Sequence, residues 1–283
     1  MVWQDVMPEV NLALKITNWC NLHCAHCCER SSAAAALNLM PIEKIEKYIS
    51  QFKDMGVPTW EEVVLTGGEA MAPYYKQQYS YIPNVANLLA QNKLSMALKT
   101  NGKWGENIFL CNRILNDLSQ VAHQHDRQIS LDISIDEYHD NLYGAANIVD
   151  AIMRNPKFSE AIPVSWCGLN TAASEYTRQT FINMLTQRGM TVLPMDADGG
   201  IVIMTKDNMN VMFYDIGGLS RIGRAKDNNL TEFVPRGIPN QSGHCFEITN
   251  NDMAILNYRF KTAIGDRTLG EIYHELKTKV PTR

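Results

Sequence analysis

Three cysteines, Cys20, Cys24 and Cys27, stand within eight residues at x3 and x2 spacing. Thiolates this close in sequence turn toward one metal centre only if the backbone wraps it as a loop, and soft thiolates select zinc, copper(I) or an iron–sulfur cluster. Zinc needs a fourth ligand, for which His23, His26 or Cys28 stands near. Structural zinc sites, however, usually draw on two separated pairs, and no second pair follows. An all-cysteine cluster takes four thiolates, so three leave one iron open to another ligand. A redox pair formed by Cys24 and Cys27 alone would open a helix and give Cys20 no role. The spacing therefore favours a cluster over zinc, and both over a redox pair.

The surrounding elements decide where these thiols stand. Asn11 to Thr17 alternates Leu12, Leu14 and Ile16 with Ala13 and Lys15, the period of a strand, and the cysteine loop follows directly. Pro41 to about Met55 carries Ile42, Ile45, Tyr48, Ile49 and Phe52 on one helical face, with Glu43 suited to the first turn. Strand patterns at Glu62 to Thr66, Ser95 to Thr100, Gln128 to Ile135, Ala161 to Cys167 and Met190 to Met195 alternate with helical patterns. The latter run over about Ile82 to Asn92, Asn107 to His125, Asn141 to Arg154 and Ser174 to Arg188. Six such beats predict an α/β fold with a parallel sheet, either open and doubly wound or closed into a complete or partial barrel. From Asp196 the beat breaks into short glycine-punctuated segments, and Leu269 to Lys279 reads as a terminal helix.

The chain has 283 residues, 45% apolar and 20% charged, enough for a sizeable core and unlike a disordered sequence. Lys plus Arg number 26 against 30 Asp plus Glu; the net charge of −4 argues against binding nucleic acid or an anionic membrane through bulk charge. No apolar run approaches the ~18 residues of a membrane span. Asp5 and Glu9 stand where an export signal would carry Lys or Arg, so a cytoplasmic location is expected. In that compartment seven cysteines, four of them between Cys20 and Cys28, make a poor disulfide framework.

In its cysteine loop the chain resembles the radical S-adenosylmethionine (radical SAM) superfamily, whose members carry this spacing and commonly an aromatic ring at the position of His26. Further motifs of the family stand at successive strand ends. They are Thr66-Gly67-Gly68-Glu69, with Ala70 where proline is frequent, then Thr100-Asn101-Gly102, Ser134-Ile135-Asp136 and Gly223-Arg224-Ala225. The resemblance spans roughly residues 11 to 225 and is to the SPASM/twitch-type branch, which modifies peptides and cofactors. It implies a partial (β/α)6 barrel of parallel strands over residues 1–225. The C-terminal extension, 226–283, is then a degenerate SPASM-like segment without auxiliary-cluster cysteines, packed against the barrel as a substrate lid. It implies one oxygen-sensitive [4Fe-4S] cluster on Cys20, Cys24 and Cys27, with S-adenosylmethionine at the open iron. Reductive cleavage of that cofactor to a 5′-deoxyadenosyl radical would then abstract hydrogen from a peptide or natural-product-like small molecule.

The same resemblance assigns roles at the strand ends. Gly67 and Gly68 let backbone approach the methionyl end of the cofactor, and Glu69 accepts from its ammonium. Ser134 and Asp136 share one strand face and meet the ribose hydroxyls, or else form a solvated strand end. Asn101 bonds the cofactor or fills the turn, and Lys99 faces inward or partners Glu69. Arg224 and Arg221 reach the cofactor carboxylate or the substrate, or are an exposed pair. Asp196 and Asp198 point into the barrel mouth or are turn residues. Cys28 turns away from the cluster, and Cys111 is core. Cys167, near the mouth, and Cys245, in the tail, are candidate catalytic hydrogen donors of the kind an epimerase uses, or buried structural cysteines.

Expected partners are an electron donor such as flavodoxin or ferredoxin and the peptide or small-molecule substrate. A stand-alone peptide-recognition protein is also expected, since the first strand begins too early for a fused leader-binding domain. Neither membrane nor nucleic acid is expected. Epimerisation, crosslinking, dehydrogenation and decarboxylation all start from the same radical. The competing reading is a non-enzymatic zinc or iron–sulfur regulatory module on an α/β scaffold. Glu69 and the polar strand ends speak against it, because a structural metal site has no use for a cofactor-binding rim. A tRNA- or rRNA-modifying radical enzyme is disfavoured by the charge and by the lack of a basic, aromatic-interleaved extension.

Overall fold

The computed structural model describes residues 10–169, 171–194, 201–207, 209–212, 214–217, 224, 227–228, 230, 244–256 and 260–280. Strand β1 (Val10–Lys15) is followed in parallel by β2 (Thr59–Thr66), β3 (Ser95–Thr100), β4 (Ile129–Ser134) and β5 (Val164–Leu169). The connections carry α1 (Ile42–Lys53), α2 (Ala72–Tyr75), α3 (Tyr81–Gln91), α4 (Ile108–His125), α5 (Leu142–Arg154) and α6 (Pro156–Ala161). Helix α7 (Ala172–Gln187) follows β5. Local chemistry sets these boundaries. The Asn107 side chain caps α4 by accepting from Phe109 N and Leu110 N, both at 3.1 Å, satisfying two amides that have no partner within the helix. At the other end Asp126 turns left-handed, with φ 51°.

Strand alternation divides the sheet into two faces. Leu12, Leu14, Val63, Leu65, Met96, Leu98, Leu131, Ile133, Val164 and Trp166 join one apolar core with Ile45, Ile49, Phe52, Leu115, Ile148 and Phe181 from the helices. The alternate positions, among them Lys15, Lys99, Asp132, Ser134 and Cys167, line the inner face. Burying a side chain such as Leu14 or Leu98 is worth ~1.5–3 kcal/mol. The apolar face therefore fixes the register, and with it which polar residues look inward.

The sixth parallel strand lies elsewhere than the sequence pattern places it. Strand β6 (Thr191–Pro194) pairs antiparallel with β7 (Ile201–Met204), and β7 with β8 (Met209–Met212), in a separate three-stranded sheet. The position beside β5 is taken by β9 (Tyr214–Gly217), with Trp166 opposite Tyr214. Periodicity marks a strand but not its partner. Six residues between Pro194 and Ile201 suit an antiparallel return, whereas a parallel crossover takes a dozen or more.

The C-terminal segment adds β10 (His244–Thr249) in parallel to the free edge of β1. Strands β11 (Met253–Leu256) and β12 (Phe260–Ala263) continue antiparallel. The main sheet runs β12-β11-β10-β1-β2-β3-β4-β5-β9 and does not close. Helix α8 (Leu269–Lys277), started by a capping box between Thr268 and Glu271, lays Tyr273 on Phe246 with ring centroids 6.0 Å apart. The expected lid also involves residues 231–243, which lie outside those described. No helix among the described residues is long and apolar enough to cross a membrane.

Candidate metal and cofactor site

Strand β1 delivers the chain into the cysteine loop at the C-terminal end of the sheet, where parallel strands bring their following loops together. The glycines after β2 hold that loop by close backbone approach. Gly68 N donates to Thr17 O at 2.8 Å and Glu69 N to Trp19 O at 2.9 Å. A Cβ on Gly68 would lie 2.2 Å from Trp19 O, and one on Gly67 2.8 Å from Thr17 O. The backbone before Cys20 thus requires both glycines on its own account, apart from any cofactor.

Glu69 is 1% exposed and held by three hydrogen bonds from its neighbours. Its Oε1 accepts from Thr100 Oγ1 at 2.6 Å and Met71 N at 2.8 Å, and its Oε2 from Asn101 N at 2.8 Å. Burial raises its carboxyl above the ordinary range, against the pull of these three bonds. A carboxylate has about four acceptor positions, so one is left for a further donor. Asn101 extends the link to the thiols. Its Nδ2 donates to Asn21 Oδ1 at 2.8 Å and lies 3.6 Å from Cys20 Sγ, while its Oδ1 accepts from Lys103 N at 2.9 Å. Gly102 turns the chain at φ 67°, and a Cβ there would lie 2.9 Å from Ile133 Cγ2.

Cys20 is buried, and Leu22 N points to its sulfur at 3.4 Å. Burial, then the Glu69 charge, pushes the metal-free thiol up to about 12. Cys24 and Cys27 share a turn in which Cys27 N donates to Cys24 O at 3.2 Å. Arg224, 9% exposed, clamps this turn. Its Nε donates to Cys24 O at 2.8 Å, its Nη2 to Ser31 O at 2.7 Å, and its backbone N to Cys27 O at 2.9 Å. The guanidinium is neither exposed nor directed at open space; it braces the loop from 200 residues away. Arg221, Gly223, Ala225, Asp196 and Asp198 lie outside the described residues.

A single ion would need its ligand atoms to converge, with thiolate sulfurs roughly 3.8 Å apart around a tetrahedral zinc at Zn–S ~2.3 Å. Among the described residues, the group of three or more His, Cys, Asp or Glu whose ligand atoms all lie within 4.8 Å of one another is His26, Asp136 and His139. The three thiols are spread more widely, which suits a cluster in which each takes its own iron.

Asp136, just past β4, is 3% exposed. Its Oδ1 accepts from Tyr138 N at 2.9 Å and pairs with His139 Nδ1 at 2.8 Å; its Oδ2 lies 3.8 Å from His26 Nε2. Burial opposes charge on both histidines. It lowers His26 to about 4, whereas bonds to Asp136 and the Cys24 sulfur raise His139 to about 10. The His26 ring lies 4.7 Å from Tyr138 and 5.1 Å from His139. Ser134 Oγ meets Cys167 Sγ at 3.5 Å, and Asn141 Nδ2 ties Ser134 O, at 2.6 Å, to Asn101 O. Lys99 pairs with Asp132 at 2.6 Å across β3 and β4. His139 and Asn141 escape the sequence reading: only the spacing of three after Asp136 marks the first, and nothing local marks the second.

The remaining cysteines separate cleanly. Cys167 stands on the inner face of β5 beside Ser134, its thiol pushed up to about 12 by burial and then by Asp132. Cys245 pairs in register with Asn11, four residues before β10 ends at Thr249, or ~13 Å down the strand from the cysteine loop's end of the sheet. Cys28 is exposed and Cys111 buried in α4.

Residues 14–164 match the Radical SAM superfamily. A 58-residue stretch is 36% identical to L-lysine 2,3-aminomutase of Clostridium subterminale, covering 20% of this chain and 14% of that enzyme. The solved structure of native anSMEcpe with bound AdoMet superposes over 97% of this chain and 84% of that one, at 13% identity and TM-score 0.50. The polyhistidine-tagged form with bound AdoMet matches at 16% identity and TM-score 0.41, over 64% of this chain and 48% of that one. The chain thus spans about half of that last protein and a seventh of the aminomutase.

Proposed function

The chain belongs to the radical SAM superfamily, and on that premise we propose that it is an enzyme acting on a peptide or natural-product-like small molecule through S-adenosylmethionine and one [4Fe-4S] cluster. Cys20, Cys24 and Cys27 would hold the cluster, and Gly67, Gly68, Glu69, Asn101, Ser134 and Asp136 surround the place for the cofactor. When bound, this pair supplies one-electron cleavage of the sulfonium and hence hydrogen abstraction from carbon. The observation that carries the reading is Glu69, a buried carboxylate with one acceptor position left, joined through Asn101 to the sulfur of Cys20. Three of its acceptor positions serve the fold, and the one left over suits the ammonium of a bound cofactor.

The chain's own groups perform the supporting work. Leu22 N and Asn101 Nδ2 point at the Cys20 sulfur, Arg224 fixes the carbonyls of the Cys24–Cys27 turn, and Asn141 locks the ends of β3 and β4 together. Cys167 is better placed than Cys245 to return hydrogen to a substrate radical, because it stands nearer the cysteine-loop end and burial keeps it protonated. An electron-carrier protein such as flavodoxin or ferredoxin is the fitting electron donor.

Anaerobic reconstitution tests the reading. About four irons with matching sulfide per chain, charge-transfer absorbance and slow release of 5′-deoxyadenosine after reduction are expected. Cys24→Ala should abolish all three. A value near eight irons would reveal a second cluster, and bound zinc without such absorbance would support the regulatory module instead.

A further inference from the structure

On the inner face below the cysteine loop, two acids stand with one base. Lys15, at the end of β1, pairs with Glu29 from the cysteine loop. Glu247, on the neighbouring strand β10, is 6% exposed, and its Oε1 has no hydrogen-bond partner among the described residues. Its strand neighbours Phe246 and Ile248 belong to the apolar core, so alternation turns Glu247 to the inner face. Its register partner there is Ala13, which presents only a methyl group. Lys15 is already matched by Glu29, so among the described residues Glu247 is left as a buried carboxylate without a counter-charge of its own.

We propose that Glu247, with the Glu29 charge within range of it, binds a primary ammonium group of the substrate, so that the enzyme acts on an amine-bearing molecule. The inference rests on the proposed radical SAM activity for its place in a reaction, but not for the binding itself. An unpaired buried carboxylate is costly, and nature resolves it with a cation or a proton. Burial, followed by the Glu29 charge, holds the Glu247 carboxyl up at about 7 against the pull of Lys15. A divalent metal fits poorly, because hard cations take about six or more oxygens, more than two carboxylates offer. An ammonium needs only a few acceptors and one net negative charge. Glu247 and Glu29 with Lys15 supply that charge balance.

The probe is n-butylamine, observed by saturation-transfer NMR with the full-length, reconstituted protein carrying S-adenosylmethionine at neutral pH, with n-butanol and n-butyrate as controls. The ammonium should bind with a clear preference over both, and Glu247→Gln, which keeps the shape and removes the charge, should weaken it about tenfold. A second arm uses a capped alanine-based pentapeptide whose single amine is a central lysine; competition with n-butylamine marks a peptide substrate, and its failure marks a small free amine. No binding of n-butylamine, equal binding of the controls, or unchanged binding in Glu247→Gln overturns the inference. If the variant folds poorly, the preference among the three probes in the parent decides alone. Iron content and 5′-deoxyadenosine release on the same sample report the radical reading separately, so the two fail independently.

Discussion

Glu69 and Thr100 share a hydrogen bond of 2.6 Å that joins the loop after β2 to the end of β3, while the other Glu69 oxygen takes Asn101 N at 2.8 Å. One buried side chain thereby sets the spacing between the glycine loop and the residue that approaches Cys20. Removing it strands a hydroxyl and two amides, each of which costs ~1–3 kcal/mol when buried without a partner. Glu69→Ala should therefore lower stability by about 3 kcal/mol, read from urea unfolding, as well as weaken S-adenosylmethionine binding. A variant that loses cofactor affinity at unchanged stability would show that these bonds contribute nothing to the fold.

Gly68→Ala should be worse than Gly67→Ala. The added methyl of the first meets Trp19 O at 2.2 Å, backbone that cannot rotate away, against 2.8 Å to Thr17 O for the second. The cysteine loop must shift to relieve the first clash, at ~1–3 kcal/mol or more. Iron retained after reconstitution and desalting should fall most in Gly68→Ala, although neither glycine contributes a ligand.

What the sequence could show depended on range. The thiol spacing, the glycines and the strand ends are local, so Cys20, Gly68 and Asp136 were legible from neighbours within a few residues. The tie from Arg224 to Cys24 O crosses 200 residues, and no local pattern separates such a clamp from an exposed arginine. Thr191–Pro194 has the composition of a strand but joins β7 in place of β5, because alternation carries no information about the partner. Glu247 was silent for the same reason: its neighbour Ala13 is set by a parallel register between two strands more than 200 residues apart.

Arg224 separates two roles by experiment. In Arg224→Gln the loop loses charged bonds to Cys24 O and Ser31 O, so cluster loss under mild chelation should quicken several-fold. Affinity for S-adenosylmethionine, measured per loaded cluster, should stay near the parent's. A variant with full iron and weakened cofactor affinity would place the guanidinium on the cofactor instead.

Glu247 should make stability depend on pH near neutrality. Burial and Glu29 raise its folded value to about 7 from the usual 4.5, against the opposing pull of Lys15; the Cys28 thiol also lies within range of its charge. A raised carboxyl means that the folded chain holds the proton that the unfolded chain releases. The stabilisation is therefore present below about 4.5 and is lost as pH rises through about 7. Between pH 5 and 8 the parent should lose up to about 3 kcal/mol that Glu247→Gln does not lose. Identical pH profiles for parent and variant would show Glu247 to be compensated by groups outside the described residues.

Cys167 and Cys245 can be told apart without knowing the substrate. In deuterium oxide both thiols exchange to S–D, and a primary carbon radical takes deuterium from any thiol it reaches. The S–D bond breaks, a C–D bond forms, and the thiyl radical left on sulfur is reduced by excess dithionite. Cys167 shares the inner face with Ser134 at the upper end of β5, whereas Cys245 lies ~13 Å below the end of its strand. Burial, more than any charge, keeps the Cys167 thiol protonated, the form that donates a hydrogen atom. Reductive cleavage of S-adenosylmethionine in the absence of substrate should thus place solvent deuterium in part of the 5′-deoxyadenosine. Cys167→Ala should remove that label and Cys245→Ala should leave it. Label that survives in the Cys167 variant and disappears in the Cys245 variant would reverse the assignment and bring the C-terminal strand, not β5, up to the reacting carbon.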